Sequence, residues 1–185
     1  MKKYEFTGEV KTVWGGELKQ IRATNSFGIV KKGDIGGWIE KEENLSQDGN
    51  AWVFGDAEVY GDAWVSGDAK VFGDAWVSGD AWVSGDAKVF GNAWVFGDAW
   101  VFGDAKVLGN ADYTTIKGFG TEYRNTTFFK CKDGAIRVKC GCFYGTIDEF
   151  REQVNKTREG KIAKEYLMIA DLMEYHFATE EKENE

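Results

Sequence analysis

From Gly49 to Thr114 the chain runs GNAWVF GDAEVY GDAWVS GDAKVF GDAWVS GDAWVS GDAKVF GNAWVF GDAWVF GDAKVL GNADYT, eleven units of six residues. Each reads Gly-(Asp/Asn)-Ala-x-Val-x, broken only in the last copy, where Tyr113 stands in the Val place. A strict period of six is the period of a hexapeptide β-helix. Within a unit, Ala and Val alternate with two variable positions. Alternation marks a strand, so Ala and Val point one way and the variable pair the other. Gly and Asp or Asn make the corner, because Gly accepts positive φ and an Asx side chain bonds its own nearby backbone.

Three strands and three corners close a coil of 18 residues, which predicts that the variable positions correlate at 18 as well as at 6. They do. Lys70, Lys88 and Lys106 form one column, with Phe54, Phe72, Phe90 and Leu108 beside it. Trp64, Trp82 and Trp100 form a second, and Trp76 and Trp94 a third, which the period brackets with Glu58 above and Asp112 below. Coils stacked at the strand spacing of ~4.8 Å turn these columns into ladders. The inside is then a narrow prism of Ala and Val, where larger side chains would overpack at a cost of ~1–3 kcal/mol each. The predicted fold is mainly β, a single-stranded left-handed β-helix whose open ends need caps.

Residues 1–48 predict an N-terminal β cap, with a hairpin from Tyr4 to Trp14 and Leu18 to Thr24 around Gly15-Gly16, then an irregular first coil at Asp34–Ile39. Residues 115–145 predict a β-hairpin region, since Asp133-Gly134 between Phe128–Lys132 and Ala135–Lys139 is a strong turn signal. Residues 146–177 predict two helices. Thr146 and Glu149 form a capping box, with Ile147, Phe150 and Val154 on one face; Ile162, Tyr166, Ile169 and Met173 share a stripe on the second. The acidic stretch 178–185 reads as a disordered tail.

The 185 residues carry a net charge of −8, and nine Asp and one Glu against three Lys in residues 49–114 account for −7 of it. Such a surface repels phosphate backbones, which argues against direct nucleic-acid binding. No apolar run reaches membrane-spanning length and the first residues lack a signal-peptide core. Three cysteines, Cys131, Cys140 and Cys142, do not make a disulfide framework, and a cytoplasmic setting follows.

Ile21-Arg22-Ala23, Phe27-Gly28, Val30, Lys32-Gly33-Asp34, Gly36-Gly37-Trp38-Ile39 and Asn44-Leu45-Ser46, leading into Gly49-Asn50-Ala51-Trp52-Val53, resemble the start of the YdcK-like hexapeptide proteins of bacteria and their phages. Lys139-Cys140-Gly141-Cys142-Phe143-Tyr144-Gly145-Thr146, followed by Glu149-Phe150, looks like a C-terminal module of phage-encoded repeat proteins. The resemblance covers most of the chain and implies the β-helix. It also implies a transferase label, which in that family rests on fold, and fold does not establish function.

The residues themselves point away from catalysis. Hexapeptide acyltransferases resemble this coil and use a histidine base, which must reach the group it deprotonates. The one histidine, His176, sits on the last helix, and one histidine cannot supply a carbonic-anhydrase zinc site. Cys140-Gly141-Cys142 is tighter than zinc spacers, and pairing across Asp133-Gly134 sets Cys131 opposite Ile136, so these read as packing cysteines. The Asp column lacks the glycine-rich nonapeptide of calcium repeats. No metal and no cofactor are expected.

The expectation is a non-enzymatic binding or interaction protein. Tryptophans on two outward faces suit a self-associating surface, a homotrimer above all. A groove between subunits is a second reading: Trp64, Trp76, Trp82, Trp94 or Trp100 would stack a nucleotide or sugar, and Lys70, Lys88 and Lys106, beside Phe72 and Phe90, would hold its anionic group. A third is a counter-defence role against a host protein, as nucleotide sponge or acidic DNA mimic. An acyltransferase-like enzyme is the remaining alternative.

Overall fold

The computed structural model describes residues 2–13 and 16–178. Trp14 and Gly15 of the first hairpin turn, and the acidic tail beyond Ala178, lie outside the described residues.

The hexapeptide units build a β-solenoid of parallel two-residue strands: β4 (Trp52–Val53), β5 (Glu58–Val59), β6 (Trp64–Val65), β7 (Lys70–Val71), β8 (Trp76–Val77), β9 (Trp82–Val83), β10 (Lys88–Val89), β11 (Trp94–Val95), β12 (Trp100–Val101) and β13 (Lys106–Val107). They stack as three faces. The first is β4-β7-β10-β13, the second β6-β9-β12, and the third runs β5-β8-β11. Rungs pair 18 residues apart, as in Lys88↔Lys106 and Val89↔Val107. Every Ala and Val of these units from Ala51 to Val107 is at most 1% exposed, so the prism is close-packed along its length.

Corner glycines from Gly49 to Gly103 hold φ between +60° and +71°. The expected side-chain turns at the corner aspartates are not what closes them. Backbone turn bonds such as Ala69 N–H to Ser66 O at 3.2 Å close several corners, and bonds between coils stack them: the Asp68 N–H donates to Gly85 O at 2.9 Å, and Asp74 N–H to Gly91 O at 3.0 Å. With the corner amides already engaged by the next coil, the carboxylates are released to reach elsewhere. Asp68 accepts from Asn50 Nδ2 at 2.7 Å, Asp62 from Lys41 at 2.6 Å, and Asp98 from Lys117.

Two caps close the ends. At the N-terminal end β1 (Tyr4–Val13), β2 (Gly16–Ala23) and β3 (Ile35–Ile39) pair antiparallel, and β3 also pairs in parallel with β5, Trp38 beside Glu58. The expected irregular first coil is thus the strand that welds hairpin to solenoid. Leu45 adds a bridge to Val65 on the second face. Tyr4 is buried under this cap, its hydroxyl donating to Glu42 O (2.9 Å) and Leu45 O (3.0 Å).

At the other end the eleventh unit departs from the repeat. Asn110–Asp112 is a 3-10 turn in which Asp112 Oδ2 accepts from Leu108 N (2.9 Å) and Gly109 N (3.1 Å). Asp112 is therefore not a rung below Trp94, contrary to the period. Tyr113, in the Val place, starts β14 (Tyr113–Phe119) instead of a fourth rung; its ring is buried with the solenoid core, and its hydroxyl accepts from Phe96 N–H at 3.4 Å.

The hairpin expected at 115–145 is part of a four-stranded antiparallel sheet, β14 with β15 (Arg124–Lys130), β16 (Ile136–Cys140) and β17 (Phe143–Thr146). Its register sets Lys130 opposite Ile136, so Cys131 faces Ala135 (N···O 2.9 Å), one residue from the expected pairing. Helix α1 (Ile147–Thr157) starts on the predicted capping box, Glu149 N–H to Thr146 Oγ1 at 3.1 Å and Thr146 N–H to Glu149 Oε2 at 2.8 Å. It packs with α2 (Gly160–Phe177) on one side of the sheet around Phe128, Val138, Phe150 and Ile169. Phe129, the neighbour of Phe128, points oppositely and joins the solenoid core.

Candidate functional site

The three faces present three different outer columns, and strand pairing aligns each in register. On the second face Trp64, Trp82 and Trp100 stack tilted, with centroids 4.9 and 5.2 Å apart. On the third, Trp76 and Trp94 stack nearly parallel at 4.7 Å and 7°. On the first, Phe54, Phe72 and Phe90 stack at 4.4 and 4.8 Å beside Lys70, Lys88 and Lys106. Trp82, Trp94 and Trp100 are 39%, 45% and 36% exposed, whereas Trp64 and Trp76 are half-buried. With Phe96 and Phe102, also exposed, the apolar surface grows toward the C-terminal end of the solenoid.

The columns do not mix. Within one chain the lysine column and the exposed tryptophans lie on separate sheets, so among the described residues no exposed tryptophan shares the sheet of Lys70, Lys88 and Lys106. The lysines line a concavity of about 630 Å³ with Phe90, Asp86, Asp104 and Lys132.

The column ends hold further residues. Trp52 heads the lysine column, fully buried under Tyr4 and Phe27. Trp38 heads the third column, and Lys11 Nζ sits 4.5 Å over its ring. Lys139 Nζ lies 5.0 Å over the Trp100 ring, and Tyr144 meets Phe102 edge-on at 5.5 Å. Trp52 was reachable by counting 18 back from Lys70. Trp38 was not, because it stands 20 residues before Glu58. Lys139 and Tyr144 arrive only through tertiary packing of the C-terminal sheet.

Corner carboxylates are partly engaged by the caps. The hydrogen bond from Lys41 holds the Asp62 carboxyl below its ordinary range. Cys131, Cys140 and Cys142 are free thiols, and burial, with a hydrogen bond to Asp104, pushes Cys131 up to about 12. Among the described residues, no three His, Cys, Asp or Glu side chains gather as a metal site. His176 is exposed near the end of α2, its ring 4.9 Å from Phe177 and outside the coils. Among the described residues, no helix is long and apolar enough to cross a membrane.

No protein-family model matches the chain. A stretch of 51 residues, 28% of the chain, is 41% identical to a protein of Escherichia coli (strain K12) named uncharacterized acetyltransferase YdcK. The match spans 15% of that relative's length. The similarity and the parallel coil agree on a hexapeptide-type β-solenoid.

Proposed function

We propose that the chain is a non-catalytic interaction module that self-associates through the tryptophan face β6-β9-β12, a homotrimer being the favoured assembly. One observation carries this reading: Trp82, Trp100 and Phe102 stand on one parallel sheet, each 36–41% exposed, with the Trp82 and Trp100 rings stacked at 5.2 Å. Soluble monomers seldom leave such patches open beyond a few hundred Å². Each tryptophan offers ~150–250 Å² for burial. A sheet face of regular rungs is well suited to meet another copy of itself.

Trp82→Ser is the test, because the side chain points outward and its loss leaves the Ala-Val prism intact. Native mass spectrometry of the wild-type chain is expected to show an oligomer and the variant a lower order. A monomeric wild-type chain, or an unchanged order in the variant, would overturn the reading.

An acetyltransferase reading draws on the name of the Escherichia coli relative. Set against it, residues 49–114 contain no histidine to serve as a base. Turnover of an acetyl donor by the purified oligomer, abolished by a substitution in the coils, would restore that reading.

A further inference from the structure

We infer that the lysine column on the first face is a binding site for a small polyphosphate-bearing ligand, a property independent of self-association. Lys70, Lys88 and Lys106 stand directly beside one another in a parallel sheet, at successive rungs ~4.8 Å apart. Like charges opposite each other destabilise a sheet. Several lysines elsewhere have a carboxylate partner: Lys11 meets Glu58, Lys41 meets Asp62, Lys117 meets Asp98 and Lys130 meets Asp112.

Among the described residues, the first-face lysines, stacked on one another, have no such partner. Lys70 Nζ donates to the Asp68 carbonyl at 3.0 Å, a neutral acceptor. Among the described residues, Lys88, Lys106 and Lys132 have no carboxylate within ion-pairing distance. Lys132 is anchored beside them because its N–H donates to Asp104 O at 3.2 Å. The four line one concavity, with Asp86 and Asp104 as its two carboxylates, and Asp104 already takes a hydrogen bond from Tyr144 at 3.4 Å.

Four cations against two anions leave a local positive excess in a repeat region that is otherwise strongly acidic. The cavity, about 630 Å³, is of small-ligand size. Charges in line at rung spacing require several negative charges in line on the ligand. A chain of two or three phosphates supplies them, each phosphate taking a lysine as a point charge. A nucleic-acid backbone, too long to stay within this lining, would also meet corner aspartates outside it such as Asp68 and Asp74.

Isothermal titration of the full chain with inorganic tripolyphosphate tests this. One ligand per chain is expected. Lys88→Gln and Lys106→Gln, which keep most of each stem and remove the charge, are each expected to weaken binding about tenfold, the scale of one charged hydrogen bond. Lys161→Gln on α2, outside the face, is expected to leave it unchanged. The wild-type melting profile in both first-face variants shows that they are folded. Absence of binding at millimolar tripolyphosphate overturns the inference. So does an equal loss in Lys161→Gln, or citrate binding as tightly as tripolyphosphate.

Discussion

Lys11 Nζ lies 2.9 Å from Glu58 Oε1 and 4.5 Å over the Trp38 ring, so one cation from the first strand seals the head of the third column. Glu58 stands where lower coils carry Trp76 and Trp94, and its side chain is only 8% exposed. Its second oxygen is buried without a hydrogen bond among the described residues. Removing one partner of a buried pair strands the other. Lys11→Met is expected to cost about 2–3 kcal/mol, less than a fully enclosed pair because Lys11 is partly solvated. Glu58→Gln in the Lys11→Met background is expected to recover most of that loss. Urea unfolding of both single variants and the double variant measures the coupling; additive losses would show that the pair does not hold the cap.

Corner glycines differ in what a methyl group would meet, and this separates backbone strain from crowding. At Gly85 (φ +70°) an added Cβ would lie 2.9 Å from Gly103 N and 3.0 Å from Gly103 O. At Gly97 (φ +65°) it would meet nothing within 4 Å, because the chain has left the coil below. Both substitutions carry the left-handed penalty of roughly 1–2 kcal/mol. Gly85→Ala alone must also push two coils apart. Thermal melts are expected to place Gly85→Ala well below Gly97→Ala; equal losses would mean that the coils are not stacked this tightly.

Cys131 bridges the last coil through Ala105 and is 4% exposed. Burial, then the Asp104 hydrogen bond and charge, raise its thiol from 9.0 to about 12. In the unfolded chain the thiol ionises near 9, so the folded state binds the proton more tightly. That contribution is complete below pH 9 and is lost as pH rises to about 12, at up to about 1.4 kcal/mol per pH unit. Tyr113 and Tyr144, also raised by burial, add to the same alkaline loss. Cys131→Ala is expected to flatten the fall by the share of one proton while the tyrosine share remains. Parallel slopes for the two proteins across pH 9–12 would refute it.

Much of the solenoid was legible because its residues interact through a fixed offset. Ala and Val at alternate positions gave the interior, and 18-residue counting gave Trp64–Trp82–Trp100 and the lysine column. The count failed where geometry replaced period. Trp38 is displaced by the two extra residues of the first coil, and Asp112 is diverted to Leu108 and Gly109 amides. Only the Asp133-Gly134 hairpin of the C-terminal sheet announced itself. Tyr113, the first residue of β14, lies inside a repeat unit, and the four-residue β17 follows a Cys-Gly-Cys stretch with no alternation. Lys139 in β16 and Lys132 in the turn before it adjoin two of the faces, so their roles depend on docking that no local pattern encodes.

Phe128 and Phe129 divide the C-terminal half into two packing units that meet at one strand. Both are fully buried, yet Phe128 meets Phe150 edge-on at 6.1 Å among the helices. Phe129 belongs with the solenoid core and stacks with Tyr144 at 6.4 Å. Truncating a buried phenylalanine costs about 3–5 kcal/mol, and the loss is felt first by the elements that packed on it. Phe128→Ala is therefore expected to raise amide hydrogen exchange in α1 and α2 while the coil amides of β7 to β10 stay protected. Phe129→Ala is expected to open β12 and β13 first, through the coil end it plugs, and to leave the α1 capping box closed. Because the two side chains leave β15 on opposite faces, the same exchange pattern in both variants would mean that sheet, helices and last coil unfold as one unit.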